Sequence, residues 1–189
     1  LTSPGNILSN QYIHEGFNGT FHVVDGRTSV EAKGALLDQR LLDVWKKTAR
    51  RTSRQGRNSG VVFVEASRTV FTESLHETGK NSAGVEAAVV RVMTASIEAA
   101  GTCHMDPLVA LHHAVRGIIS GSFDAGVDLS RTASIALRAA AKLMSQRGMD
   151  GSSAEREVAA AIIIGSLDIS MEAAVCARRA VRRILSDRS

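Results

Sequence analysis

Aromatic residues are scarce in this chain: five Phe, one Trp and one Tyr make up 4% of its 189 positions. Ring anchors therefore cannot dominate the packing. Cysteine is almost as rare, and Cys103 and Cys176 form neither a disulfide framework nor a Cys-x-x-Cys pair, so the cytoplasm or another reducing compartment is expected. No apolar run approaches the roughly 18 residues of a membrane-spanning helix. The longest, 158–167, is far shorter, and a soluble chain is expected. A strong charge of one sign is missing too: the formal net charge is +4, weaker than a dedicated nucleic-acid-binding domain usually carries. The chain also has no Gly-rich phosphate loop, no His-Glu-x-x-His and no Gly-x-Ser-x-Gly. These gaps argue against an enzyme, and neither a cofactor nor a metal is expected.

Alanine fills the place of the aromatics. It is dense from Ala83 onward, and because Ala has the best helix propensity and little side-chain entropy to lose, that stretch reads as closely packed helices. Ahead of it lies a polar segment in which Tyr12 to Phe17 and Thr20 to Val24 flank Asn18-Gly19. This is a hairpin pattern, since both turn residues tolerate positive φ. Thr28 and Glu31 have capping-box spacing, so a helix is expected from Thr28 to about Arg57 and a second from Val61 to Thr78.

Further along, Gly79, Gly101, Gly126 and Gly148 recur at intervals of 22, 25 and 22 residues. Each is expected to close a helix, since glycine adopts the left-handed conformation there without steric cost. With Ser82, Asp106, Asp128 and Ser152 as N-caps, helices are expected near 83–100, 107–125, 129–147, 153–167 and 171–186. Short connections make neighbours antiparallel. The fold expected is all-α, a repeat-like antiparallel helical array or bundle over 28–189, with an extended β-hairpin arm over 1–27. Residues 158–167 are apolar or small on every side, which marks the central helix.

Five groups of residues stand out as candidates. Ala110, Ala114, Gly117 and Gly121 form a stripe of small side chains that lets another backbone come close. Lys46, Lys47, Arg50, Arg51, Arg54 and Arg57 gather on one helix face beside Trp45, with no acid between Val44 and Glu65. Such a face can grip phosphates or acidic side chains, or simply stay wet and complement the helix dipole. Arg178, Arg179, Arg182 and Arg183 make a second basic cluster, read as a solvated face. Phe17, Phe21 and Val23 give the arm an apolar surface that needs covering, since a two-stranded hairpin is marginal alone. Cys103, His104, His112 and His113 resemble a metal set only loosely: adjacent helical residues diverge, and His112 reads as a half-buried core histidine.

Together these features point to a non-catalytic structural or interaction protein, a homo-oligomer or a subunit among other proteins. The alternative is a nucleic-acid-binding protein that uses the basic face at 46–57. Replacing Lys46, Arg50, Arg51 and Arg54 with Gln is expected to weaken association with nucleic acid or an acidic partner. The slope of log affinity against log salt should flatten as fewer counterions are released; unchanged binding leaves them as ordinary solvated charges.

Overall fold

The computed structural model describes residues 59–187, together with Asp43 and Lys47. Among the described residues there are six helices and no strand: α1 Ser59–Thr78, α2 Ser82–Cys103, α3 Pro107–Asp124, α4 Leu129–Ser145, α5 Gly151–Leu167 and α6 Met171–Ser186. The all-α expectation holds for this part of the chain. The hairpin arm, with Phe17, Phe21 and Val23, lies outside the described residues, and so do Lys46, Arg50, Arg51, Arg54 and Arg57. Asp43 and Lys47 are helical and exposed.

Local chemistry sets the helix starts. Asp106 accepts from the Leu108 N–H at 2.7 Å with Pro107 in the first turn, and Asp128 accepts from the Ser130 N–H at 2.8 Å. Ser170 accepts from the Ala173 N–H at 3.0 Å. In each case a side-chain oxygen satisfies a backbone donor that the helix itself leaves orphaned. Two starts differ from the expectation. Asn81, one residue ahead of Ser82, caps α2 by accepting from the Gly84 N–H at 2.8 Å. Asp150, not Ser152, caps α5, because a carboxylate there collects the hydroxyls of Ser153 and Ser152 and both their N–H groups. Those bonds, Ser153 foremost, hold the Asp150 carboxyl down at about 2.

The ends show one further correction. Gly79, Gly126 and Gly148 have positive φ and terminate their helices, but Gly101 does not. It stays inside α2, which runs on to Cys103, and the left-handed position is taken by His104 at φ 53°. The sequence interval pointed to the nearest glycine, whereas the turn formed three residues later.

Among the described residues each helix touches only the next helix in order and the next but one. That pattern makes a stack rather than a closed bundle. The helices α1, α3 and α5 lie side by side in one layer. Gly60 of α1 meets His113 of α3, Val64 and Ser67 meet Gly117, and Phe71 meets Gly121, so the two helices run parallel. The same direction holds between α3 and α5, where His112 pairs with Glu157 and Arg116 with Asp168. Behind them, α2 packs on α1, α3 and α4, while α6 packs on α4 and α5. The core between the layers is filled by Phe71, Met93, Leu111, Ile118, Leu137, Met144 and Ile162, all fully buried.

The central helices are therefore α3 and α4, and not the 158–167 segment. That segment buries Ile162, half-buries Ile163 and leaves Ile164 39% exposed, because α5 has no further helix of its layer beyond it among the described residues. Three consecutive isoleucines point in three directions, and only two of those directions are covered.

The crossing of α3 over α1 is backbone against backbone. A Cβ on Gly117 would stand 2.4 Å from the Val64 carbonyl oxygen, whereas one on Gly101 would meet nothing within 4 Å. Ala110 and Ala114 on the same helix are completely buried. Gly117→Ala is thus expected to destabilise the fold by about 1 to 3 kcal/mol through overpacking. Gly101→Ala, by contrast, should stabilise it by up to about 1 kcal/mol through lower chain entropy in the unfolded state. Denaturant midpoints at unchanged slope measure both, and equal effects at the two glycines would refute the close crossing.

Candidate functional site

Ion pairs bridge the parallel layer at its surface. The Arg68 Nε donates to Asp124 Oδ2, linking α1 to α3, and this bond raises the Arg68 guanidinium above its ordinary value. One layer further, Arg116 donates to Asp168 at 2.7 Å, linking α3 to the end of α5. On the same seam, one turn earlier along α3, His112 Nδ1 donates to Glu157 at 2.6 Å. The sequence reading of His112 as half-buried fits this place. His113 sits beneath Gly60 and is stacked with Phe63 at a ring-centroid distance of 6.4 Å. Its Nδ1 is buried and has no hydrogen-bond partner among the described residues. Burial pushes the His113 imidazole below the ordinary value of 6.5; His112 and Arg116 push the same way and Glu157 opposes them.

The acids of this seam escaped the sequence reading, yet a signal for them exists. His104-Met105-Asp106 recurs 44 residues later as Gly148-Met149-Asp150, and Gly121-Ser122-Phe123-Asp124 as Gly165-Ser166-Leu167-Asp168. The structure puts the members of each pair in matching places. His104 and Gly148 both have positive φ, Asp106 and Asp150 both cap helices, and Ser122 and Ser166 are both completely buried. Gly121 lies against Phe71 and the Arg68 carbonyl, while Gly165 lies against Ile119 and the Arg116 carbonyl. The recurring unit is a helix pair, and not the single glycine-closed helix that the 22- and 25-residue intervals suggested.

On the far side of α5 the seam's counterpart keeps one cation, the exposed Arg156 in the place of His112, and is otherwise apolar. Matching Arg68 and Arg116 by this register gives Ala160, and matching Phe71 and Ile119 gives Ile163. Around the turn that joins α5 to α6, Ile164 is 39%, Leu167 50%, Met171 65% and Val175 44% exposed. Elsewhere, the four arginines of α6 divide. Arg179 and Arg183 line a groove against α4, and Arg178 and Arg182 do not. The stripe of Ala110, Ala114, Gly117 and Gly121 is used inside the chain, facing α1 at its glycines. Among the described residues no group of three His, Cys, Asp or Glu side chains is placed to hold a metal ion, and no helix is long and apolar enough to cross a membrane.

The lowered His113 value has a sign in stability. Between the lowered value and 6.5 the unfolded chain binds more protons than the folded one, so stability is present above that window and is lost as the pH falls through it. His113→Gln should therefore narrow the gap in melting temperature between pH 7.5 and acid. A variant that loses as much stability on acidification as the parent would show that His113 charges freely in the fold. Comparison with protein-family models, with curated proteins and with solved structures finds no match for this chain.

Proposed function

We propose that this chain is a non-catalytic interaction module that associates with a second copy of itself through the open end of its helix stack. The observation that carries this reading is the run of exposed Ile164, Leu167, Met171 and Val175 at that end. Apolar groups gathered on one exposed surface mark an interaction site more often than solitary ones do. In a stack of nearest-neighbour helices each interior face is covered by its successor, so an end that stays apolar calls for a cover.

The partner's geometry follows from the same register. A head-to-tail arrangement would set α1 of the next copy where α3 and α5 offer glycine. The corresponding α1 residues are Thr69 and Glu73, both exposed. Side chains there would hold the backbones apart and bury a carboxylate against apolar surface, which costs free energy unless it is paired. Two copies meeting tail to tail avoid this, each supplying the same patch, as in most two-fold homodimers. Nucleic-acid binding through the face at 46–57 is the second reading, and the exposed, helical Lys47 favours it.

Light scattering should return a dimer mass for the parent chain at high micromolar concentration. Ile164→Lys together with Leu167→Lys should return the monomer with an unchanged helical circular-dichroism signal, because both positions are already exposed. A parent chain that is monomeric throughout, or a double variant that keeps the dimer mass, would overturn the reading.

A further inference from the structure

The stretch of α6 from Cys176 to Ile184 lies against the first turns of α4 and encloses an open groove of about 510 Å³. Three arginines face into it: Arg131 from α4, and Arg179 and Arg183 one helical turn apart on α6. This chain pairs arginines where it uses them for structure, as Arg68 with Asp124 and Arg116 with Asp168 show. Arg131, Arg179 and Arg183 are different, for none of their guanidiniums has an ion-pair or side-chain hydrogen-bond partner among the described residues. Within α6 the only acid, Glu172, has Cys176 and not an arginine four residues on, and the C-cap Asp187, four residues after Arg183, makes no ion pair with it.

The remaining lining shapes what fits. Asp128 is the one acid in the groove, and its carboxylate is turned to the α4 N-terminus, where it accepts from the Ser130 N–H. One engaged carboxylate against three unpaired guanidiniums leaves the groove cationic, and the positive end of the α4 dipole adds to that. Ile184 and Ala180 give it an apolar strip. Its volume of about 510 Å³ falls in the range of small-molecule sites, about 300 to 1,000 Å³. Guanidinium forks match the oxygens of phosphate, and three of them exceed what a single carboxylate can accept in parallel.

We infer that this groove binds the phosphate group of a small phosphomonoester, with Arg131, Arg179 and Arg183 holding the phosphate and Ala180 and Ile184 contacting the apolar part of its organic body. The site is separate from the apolar end of the stack, and it stands whether or not the chain dimerises.

Calorimetric titration of the full chain with inorganic phosphate and with phenyl phosphate tests it. Both probes should saturate at one site per chain. Tighter binding of phenyl phosphate identifies an organic phosphate as the natural ligand, and equal binding identifies free phosphate. Arg179→Gln with Arg183→Gln should lower the affinity at least about tenfold, and Arg131→Gln alone should lower it measurably, whereas Arg178→Gln with Arg182→Gln should stay within about twofold of the parent. All five positions are exposed, so thermal melts should be unchanged. Absence of saturable binding with either probe overturns the inference. So does an equal loss in the two double variants, which would reduce the effect to the general charge of α6, or binding confined to long DNA with a steep salt slope.

Discussion

The stack depends on three places where helix backbones of the parallel layer come into contact. Gly117 and Gly121 bring α3 onto α1, and Gly165 brings α5 onto α3. With few aromatic side chains to bridge wider gaps, close approach is how this chain reaches native packing density. Once the first layer closes in this way, alanine and β-branched residues are large enough to fill the space to α2 and α4. Ala136, Ala140 and Ala161 are completely buried alongside Val85, Val92 and Val158. Larger glycine replacements would open that space at the same time as they clashed, so the alanine-rich core and the glycine crossings constrain each other.

Because each described helix touches only its two following neighbours among the described residues, little of their stability is held in contacts between α1 and α6. Such a stack gains a comparable increment with each added helix and has no interior that closes on itself. The consequence appears at α5, whose apolar positions run past the last helix of its layer among the described residues. Exposure of Ile164 fits this, whereas Leu167 is exposed as its counterpart Phe123 is, 56% on α3 inside the stack.

How much of this was legible depends on how local the cause is. The starts at Asp106 and Asp128 and the stops at Gly126 and Gly148 were readable because capping and positive φ act within a few residues. His104 was not, since a histidine in the left-handed region is several-fold less expected than a glycine and Gly101 stood nearby. The small-residue stripe of α3 was visible from its spacing, but that α1 would occupy it was not, because spacing names a face and not a partner. Arg68–Asp124 and Arg116–Asp168 join residues 56 and 52 apart, and only the tertiary stack brings them together. The four arginines of α6 were plain in the sequence, while the division that sends two of them toward α4 follows from how that helix lies.

A glycine-rich crossing is smooth, and smooth surfaces slide. Gly117 and Gly121 allow α3 to approach α1 but offer no side chain to fix how far one helix is displaced along the other. The Arg68–Asp124 pair fixes it for the first crossing, and Arg116–Asp168 does so for the second. Both are partly exposed, so each contributes little net stability, on the order of 1 kcal/mol or less. Their effect is selective instead: a slip of one helical turn would move the charges about 5.4 Å apart along the axis and break each pair while leaving the apolar packing nearly intact. At α5 the arginine of the series is missing, since Ala160 stands in its place. Among the described residues the joints of the stack are thus set by glycine crossings with ion pairs beside them, and the face of α5 beyond the last of these joints carries no arginine of that series to set a register.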